Sequence, residues 1–78
     1  MTMTKIEMMK QQINWKIEFQ TREMKENKER LADCVKCSDY EIANWAAHYA
    51  ERFQKAFEEI KRLNEEYEML LLLEKGEE

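Results

Sequence analysis

The chain has 78 residues, no Pro, one Gly, 38% charged and 44% hydrophobic residues, and a formal net charge of −4. That composition excludes a sheet-rich fold, which needs turn formers, and a large enclosed core, which a chain this short cannot bury; it is the composition of long helices. The charge is also divided: residues 1–38 carry 8 basic and 6 acidic groups and residues 39–78 carry 5 and 11, so the halves attract when laid side by side and nucleic acid is not an expected partner, for want of a concentrated basic footprint.

The first ten residues, MTMTKIEMMK, are interrupted by Lys5, Glu7 and Lys10 and lack the apolar run of a signal peptide. Leu70 to Leu73 form an apolar run too short to cross a bilayer, so no membrane association is expected. Together these features imply a cytoplasmic protein whose cysteines stay reduced.

Thr4-Lys5-Ile6-Glu7 fits the capping box, in which a hydroxyl accepts from the amide three residues on. The spacing predicts a first helix over about 4–35. At 100° per residue, Ile6, Ile13, Ile17, Met24 and Leu31 share one line, with Met9 nearby, and form a stripe for burial. Ser38-Asp39-Tyr40-Glu41 repeats the box, with Cys37 and Ile42 placed as its hydrophobic staple, and predicts a second helix over about 39–74. Its stripe is broader: Ile42, Trp45, Ala46, Tyr49 and Phe53, then Ala56, Phe57 and Ile60, and finally Leu63, Tyr67, Leu70 and Leu71. Glu18/Arg22, Glu26/Arg30, Glu51/Lys55 and Glu58/Arg62 each place a Glu four residues ahead of a cation, the favourable orientation on an exposed face.

With a turn at about 34–38, the two elements form one domain over 1–78: an all-α, antiparallel two-helix hairpin of coiled-coil type, ending in an acidic tail at 75–78. The turn lacks Gly and Pro, so one continuous helix is the structural alternative. Two stripes use only part of the apolar residues. Met8, Trp15 and Phe19 lie on nearly the opposite side of helix 1 from its stripe, and Met69, Leu72 and Leu73 fall outside that of helix 2. In an antiparallel hairpin both surpluses occur at the end away from the cysteines, where they would form a homodimer core, two hairpins making a four-helix bundle, or a docking face for another protein.

Cys34-Val35-Lys36-Cys37 is the one stretch with the look of chemistry. Two thiolates at this spacing can grip one zinc, but a structural site needs four ligands, so the rest would come from a second chain. The four residues, at the apex of an antiparallel coiled coil, resemble the zinc hook of coiled-coil proteins, although the Pro usually found between those cysteines is missing. The resemblance implies zinc shared by two molecules tip to tip. The plain reading is of two small residues filling a turn and stapling the second helix. His48 stands ten residues into helix 2, on the order of 15 Å from the turn, so a Cys–His nucleophile is not formed within one hairpin. No pair of helices this thin encloses a pocket that would tune a carboxylate for acid–base work.

The sequence therefore predicts a non-enzymatic protein–protein interaction module without a resident cofactor, a small acidic regulator or inhibitor that binds and occludes a partner protein, as many phage-encoded and bacterial helical proteins do. The alternatives are a zinc- or redox-linked dimer through Cys34 and Cys37, and an acidic DNA mimic, whose face Arg52, Lys55, Lys61 and Arg62 interrupt.

Overall fold

The protein was described with a computed structural model, which describes residues 4–36 and 40–76. Helix α1 spans Lys5–Val35 and helix α2 spans Tyr40–Gly76. They lie side by side in an elongated hairpin of 59 × 22 × 12 Å. The antiparallel sense is fixed by pairs that cross between them: Lys10 with Glu74, Lys10 over the ring of Tyr67, and Arg30 over the ring of Tyr49. One continuous helix is thereby ruled out, since such pairs require the chain to double back.

The start of α1 follows its sequence signal. Thr4 sits in extended backbone and its Oγ1 accepts from the Glu7 amide at 3.2 Å, satisfying one of the free N–H groups that every helix start leaves. The other end closes without a left-handed residue, Lys36 keeping φ −73° and ψ −17°. The second capping box and its Cys37 staple rest on residues 37–39 and so lie outside the described residues. At the far end α2 continues beyond Glu74 to Gly76, and the last two tail residues are likewise outside.

The interface is a narrow coiled-coil seam. On α1 a run of shielded positions falls at 6, 10, 13, 17, 20, 24, 27, 31 and 34, and on α2 at 42, 46, 49, 53, 56, 60, 63, 67, 70 and 74, with Thr21, Glu23, Ala50, Glu59 and Glu66 half-buried beside them. Both series alternate steps of four and three, the repeat that keeps one face of a helix against a single partner. The apolar centre is Ile13, Leu63 and Leu70, with Ile6, Ile17 and Tyr67 packed against it. Leu63 is fully enclosed, at 0% exposure.

This seam is narrower than the stripes read from the sequence. Met9, Trp45, Phe57 and Leu71 are all exposed, because a hairpin offers each helix one neighbour and positions beside the seam face water. Conversely the seam takes in polar residues the periodicity left aside: Lys10, Gln20, Asn27 and Glu74. Asn27 is only 3% exposed, and its Nδ2 donates to the Glu23 carbonyl one turn back at 2.7 Å. Its burial is thus compensated within α1 itself.

Candidate interaction surface

Met8, Trp15 and Phe19 all stand in solvent, Trp15 at 69% exposure. Their positions, together with Gln12, repeat the four–three–four spacing on the far side of α1, a second and shorter seam with no helix opposite it. On α2, Leu72 and Leu73 follow Met69 by three and four residues, and all three are exposed as well. The Lys10–Glu74 pair brings the start of α1 and the end of α2 together, so the six residues occupy the half of the hairpin away from the turn, with Phe19 innermost, beside Ala56 and Glu59 at the middle of α2. Exposed apolar residues are not confined there, since Val35, Tyr40 and Trp45 are open at the turn end.

Charged side chains edge the apolar end. Arg62 donates to both Glu59 and Glu66. The sequence pairing with Glu58 is not the one adopted: Glu58 instead accepts from Gln54 at 3.2 Å. The hydrogen bond from Arg62 holds the Glu59 carboxyl below its ordinary value; burial opposes it, and the charges of Arg62 and of Lys16 on α1 add to the downward pull. Glu59 in turn raises Arg62 above its ordinary value. The pair Glu51 and Lys55 forms as its spacing predicts, at 3.3 Å. Beside this network a shallow groove opens between Phe19, Gln20 and Glu23 of α1 and Arg52, Ala56 and Glu59 of α2. Its floor is Ala56, a buried seam residue too small to fill the space between the helices.

A second aromatic group lies nearer the turn. The Trp45 ring meets His48 edge-on at 5.8 Å and stacks on Tyr49 at 6.2 Å, and Arg30 reaches across from α1 over Tyr49 at 5.8 Å, close enough for a cation–π contact. Sequence reasoning missed this cluster by assigning Trp45 to the core; the three-and-four spacing of Trp45, His48 and Tyr49 was its visible signal. His48 thus belongs to an aromatic group with Trp45 and Tyr49.

Cys34 is a free thiol on the seam, half-buried, while Cys37 lies outside the described residues. Among the described residues no group of three or more His, Cys, Asp or Glu is arranged to hold a metal ion. Among them, too, no helix is long and apolar enough to cross a membrane. The chain matches no protein-family model, no curated protein and no solved structure.

Proposed function

We propose that the protein is a non-enzymatic interaction module: a cytoplasmic helical regulator that binds a partner protein through the open end of the hairpin and occludes it. The observation that carries this reading is the exposure of Met8, Trp15, Phe19, Met69, Leu72 and Leu73 in one half of a rod. Large apolar side chains gathered on a small domain favour association, and Trp is the side chain most often found as an energetic anchor. The same surface supports a homodimer, an assembly of four helices that would compensate for a core whose buried apolar residues are Ile13, Ala56, Leu63 and Leu70.

The test is affinity capture from the native cell with wild type, Trp15→Ala/Phe19→Ala and Leu72→Lys/Leu73→Lys, all checked for unchanged helicity. The reading expects a defined protein to be recovered by wild type and lost with at least one pair of substitutions. Equal recovery by all three would remove the open end from the function.

A further inference from the structure

The two seams of α1 point in nearly opposite directions. Stepping 100° per residue, Met8, Gln12, Trp15 and Phe19 centre about 150° from the line through Ile6, Ile13 and Ile17. A helix in a closed four-helix bundle turns one broad face, roughly a quarter to a third of its circumference, toward a shared centre. Helix α1 instead has a narrow seam on each side, with α2 on one and nothing on the other.

Surface area says how much is missing. The hairpin exposes 6651 Å², whereas a compact monomer of its 9.6 kDa mass exposes about 5,100 Å². The surplus, about 1,500 Å² on one chain, exceeds the roughly 800 Å² that each partner hides in a standard two-protein interface.

Charge says what would fit. Over residues 5–16 the charged side chains of α1 are Lys5, Lys10 and Lys16 against Glu7, and over residues 18–29 they are four Glu against Arg22, Lys25 and Lys28. With Arg30 the further stretch balances at four acidic and four basic groups, and Lys10 is already paired with Glu74 on the inner seam, so the outer side of the helix is basic at its start, through Lys5 and Lys16, and neutral further along. A second copy running in the opposite direction lays each basic start beside the neutral stretch, whereas a parallel copy would set the two basic starts together.

We propose that the outer seam Met8–Gln12–Trp15–Phe19 binds the same seam of a second copy of this chain, antiparallel, so that the dimer is an open layer of four helices in the order α2, α1, α1, α2. The proposal rests on reading the open end as an interaction surface and divides it: α1 serves self-association, leaving Met69, Leu72 and Leu73 of α2 for another protein. With the two-fold axis between Gln12 and Trp15, Met8 lies opposite Phe19 of the second copy, and Lys5 comes beside Glu23 of the second copy on the same flank. The hairpins are then staggered by about 13 residues of helix, and the dimer is about 80 Å long, from 1.5 Å per residue added to the 59 Å of one hairpin.

Sedimentation velocity on the full chain at tens of micromolar tests this, with Trp15→Ala/Phe19→Ala, Gln12→Lys and Leu72→Ala/Leu73→Ala alongside. Gln12 is exposed in the hairpin, so a lysine there leaves the fold intact while placing two like charges beside the axis. The expected result is a dimer for wild type and for the α2 variant, at least a tenfold weaker dimer for both α1 variants, and a scattering length near 80 Å. A Gln12→Cys chain with Cys34→Ser and Cys37→Ser should also form an intermolecular disulfide on oxidation. A wild-type monomer, a dimer indifferent to Gln12→Lys, or one broken by the α2 substitutions instead would overturn the proposal. Should the dimer behave as expected while no partner is captured, the self-association stands and the occlusion reading falls; a monomer that still captures a partner through these residues gives the reverse.

Discussion

Lys10 Nζ stands 3.2 Å from Glu74 Oε2, a pair of residues 64 apart in the chain that ties the first turns of α1 to the last turns of α2. Both are seam positions, and the lysine also lies over the Tyr67 ring at 5.8 Å. Its stem therefore covers apolar surface that an exposed lysine would leave to water. The Lys10 side chain is 21% exposed and that of Glu74 is 43% exposed.

The two partners should accordingly respond differently to substitution. Glu74→Gln removes only a partly solvated ion pair, which is worth about 0.2–1 kcal/mol, and salt should erase most of that loss. Lys10→Ala removes the pair and the cover over Tyr67, so its cost should be about 1–2 kcal/mol and should persist at high salt. Urea unfolding of both variants at low and high salt measures the difference. Equal, fully salt-sensitive losses would mean that the stem contributes nothing.

Leu63 and Leu72 give a sharper contrast within one helix. Leu63 is enclosed at 0% exposure and Leu72 is open at 69%. Leu63→Ala should destabilise the hairpin by about 2–4 kcal/mol through lost burial and the cavity left behind. Leu72→Ala should stay within about 0.5 kcal/mol, because an exposed methyl group has little to lose. Thermal unfolding followed by circular dichroism is sufficient, and comparable losses at the two sites would show that the α2 tip is covered in solution.

How far the sequence disclosed this arrangement depends on which signal is followed. The Thr4 cap, the doubling back and the exposed Met8–Trp15–Phe19 surplus were legible, because each rests on a local hydrogen bond or on the direction a side chain takes from a helix. The width of the seam was not. Trp45, Phe57 and Leu71 look like core residues by type, yet each sits one position beside a four–three step, and only the number of neighbouring helices decides whether that position is covered. Lys10, Gln20, Asn27 and Glu74 were hidden for the opposite reason: polar types read as solvent-facing, although their spacing continues the seam without a break. The approach of Arg30 to Tyr49 depended on the register between helices, which no single-helix pattern contains.

Glu59 predicts a pH dependence of definite sign. Its carboxyl is held below the ordinary value by Arg62, so the folded state favours the ionised form more than the unfolded chain does. That contribution is complete above the usual glutamate range, near 4.3, and is lost as pH falls through the depressed value. Wild type should melt above Glu59→Gln at pH 7, and the gap should shrink as pH falls below the usual glutamate range and vanish once Glu59 is protonated in the folded state as well. A gap that keeps its size across this range would assign the difference to packing beside the groove and not to the charge.

Asn27 supplies the last prediction. It is sealed at 3% exposure in a seam otherwise rich in apolar side chains, and its amide bonds only to its own helix, the Glu23 carbonyl at 2.7 Å and Glu23 Oε2 at 3.4 Å. Such a group adds little to the attraction between helices, because the carbonyl it meets already accepts within the helix ladder. What it does is mark one position along the seam as unsuitable for an apolar partner, which disfavours slipped alignments and extra chains. Asn27→Leu should therefore raise stability by about 1 kcal/mol through added apolar burial, and the variant should form larger or mixed oligomers as concentration rises. Urea unfolding and sedimentation on the same preparation check both halves. If the leucine variant were less stable than wild type and kept a single oligomeric state, the asparagine would be holding α1 together instead of selecting its register.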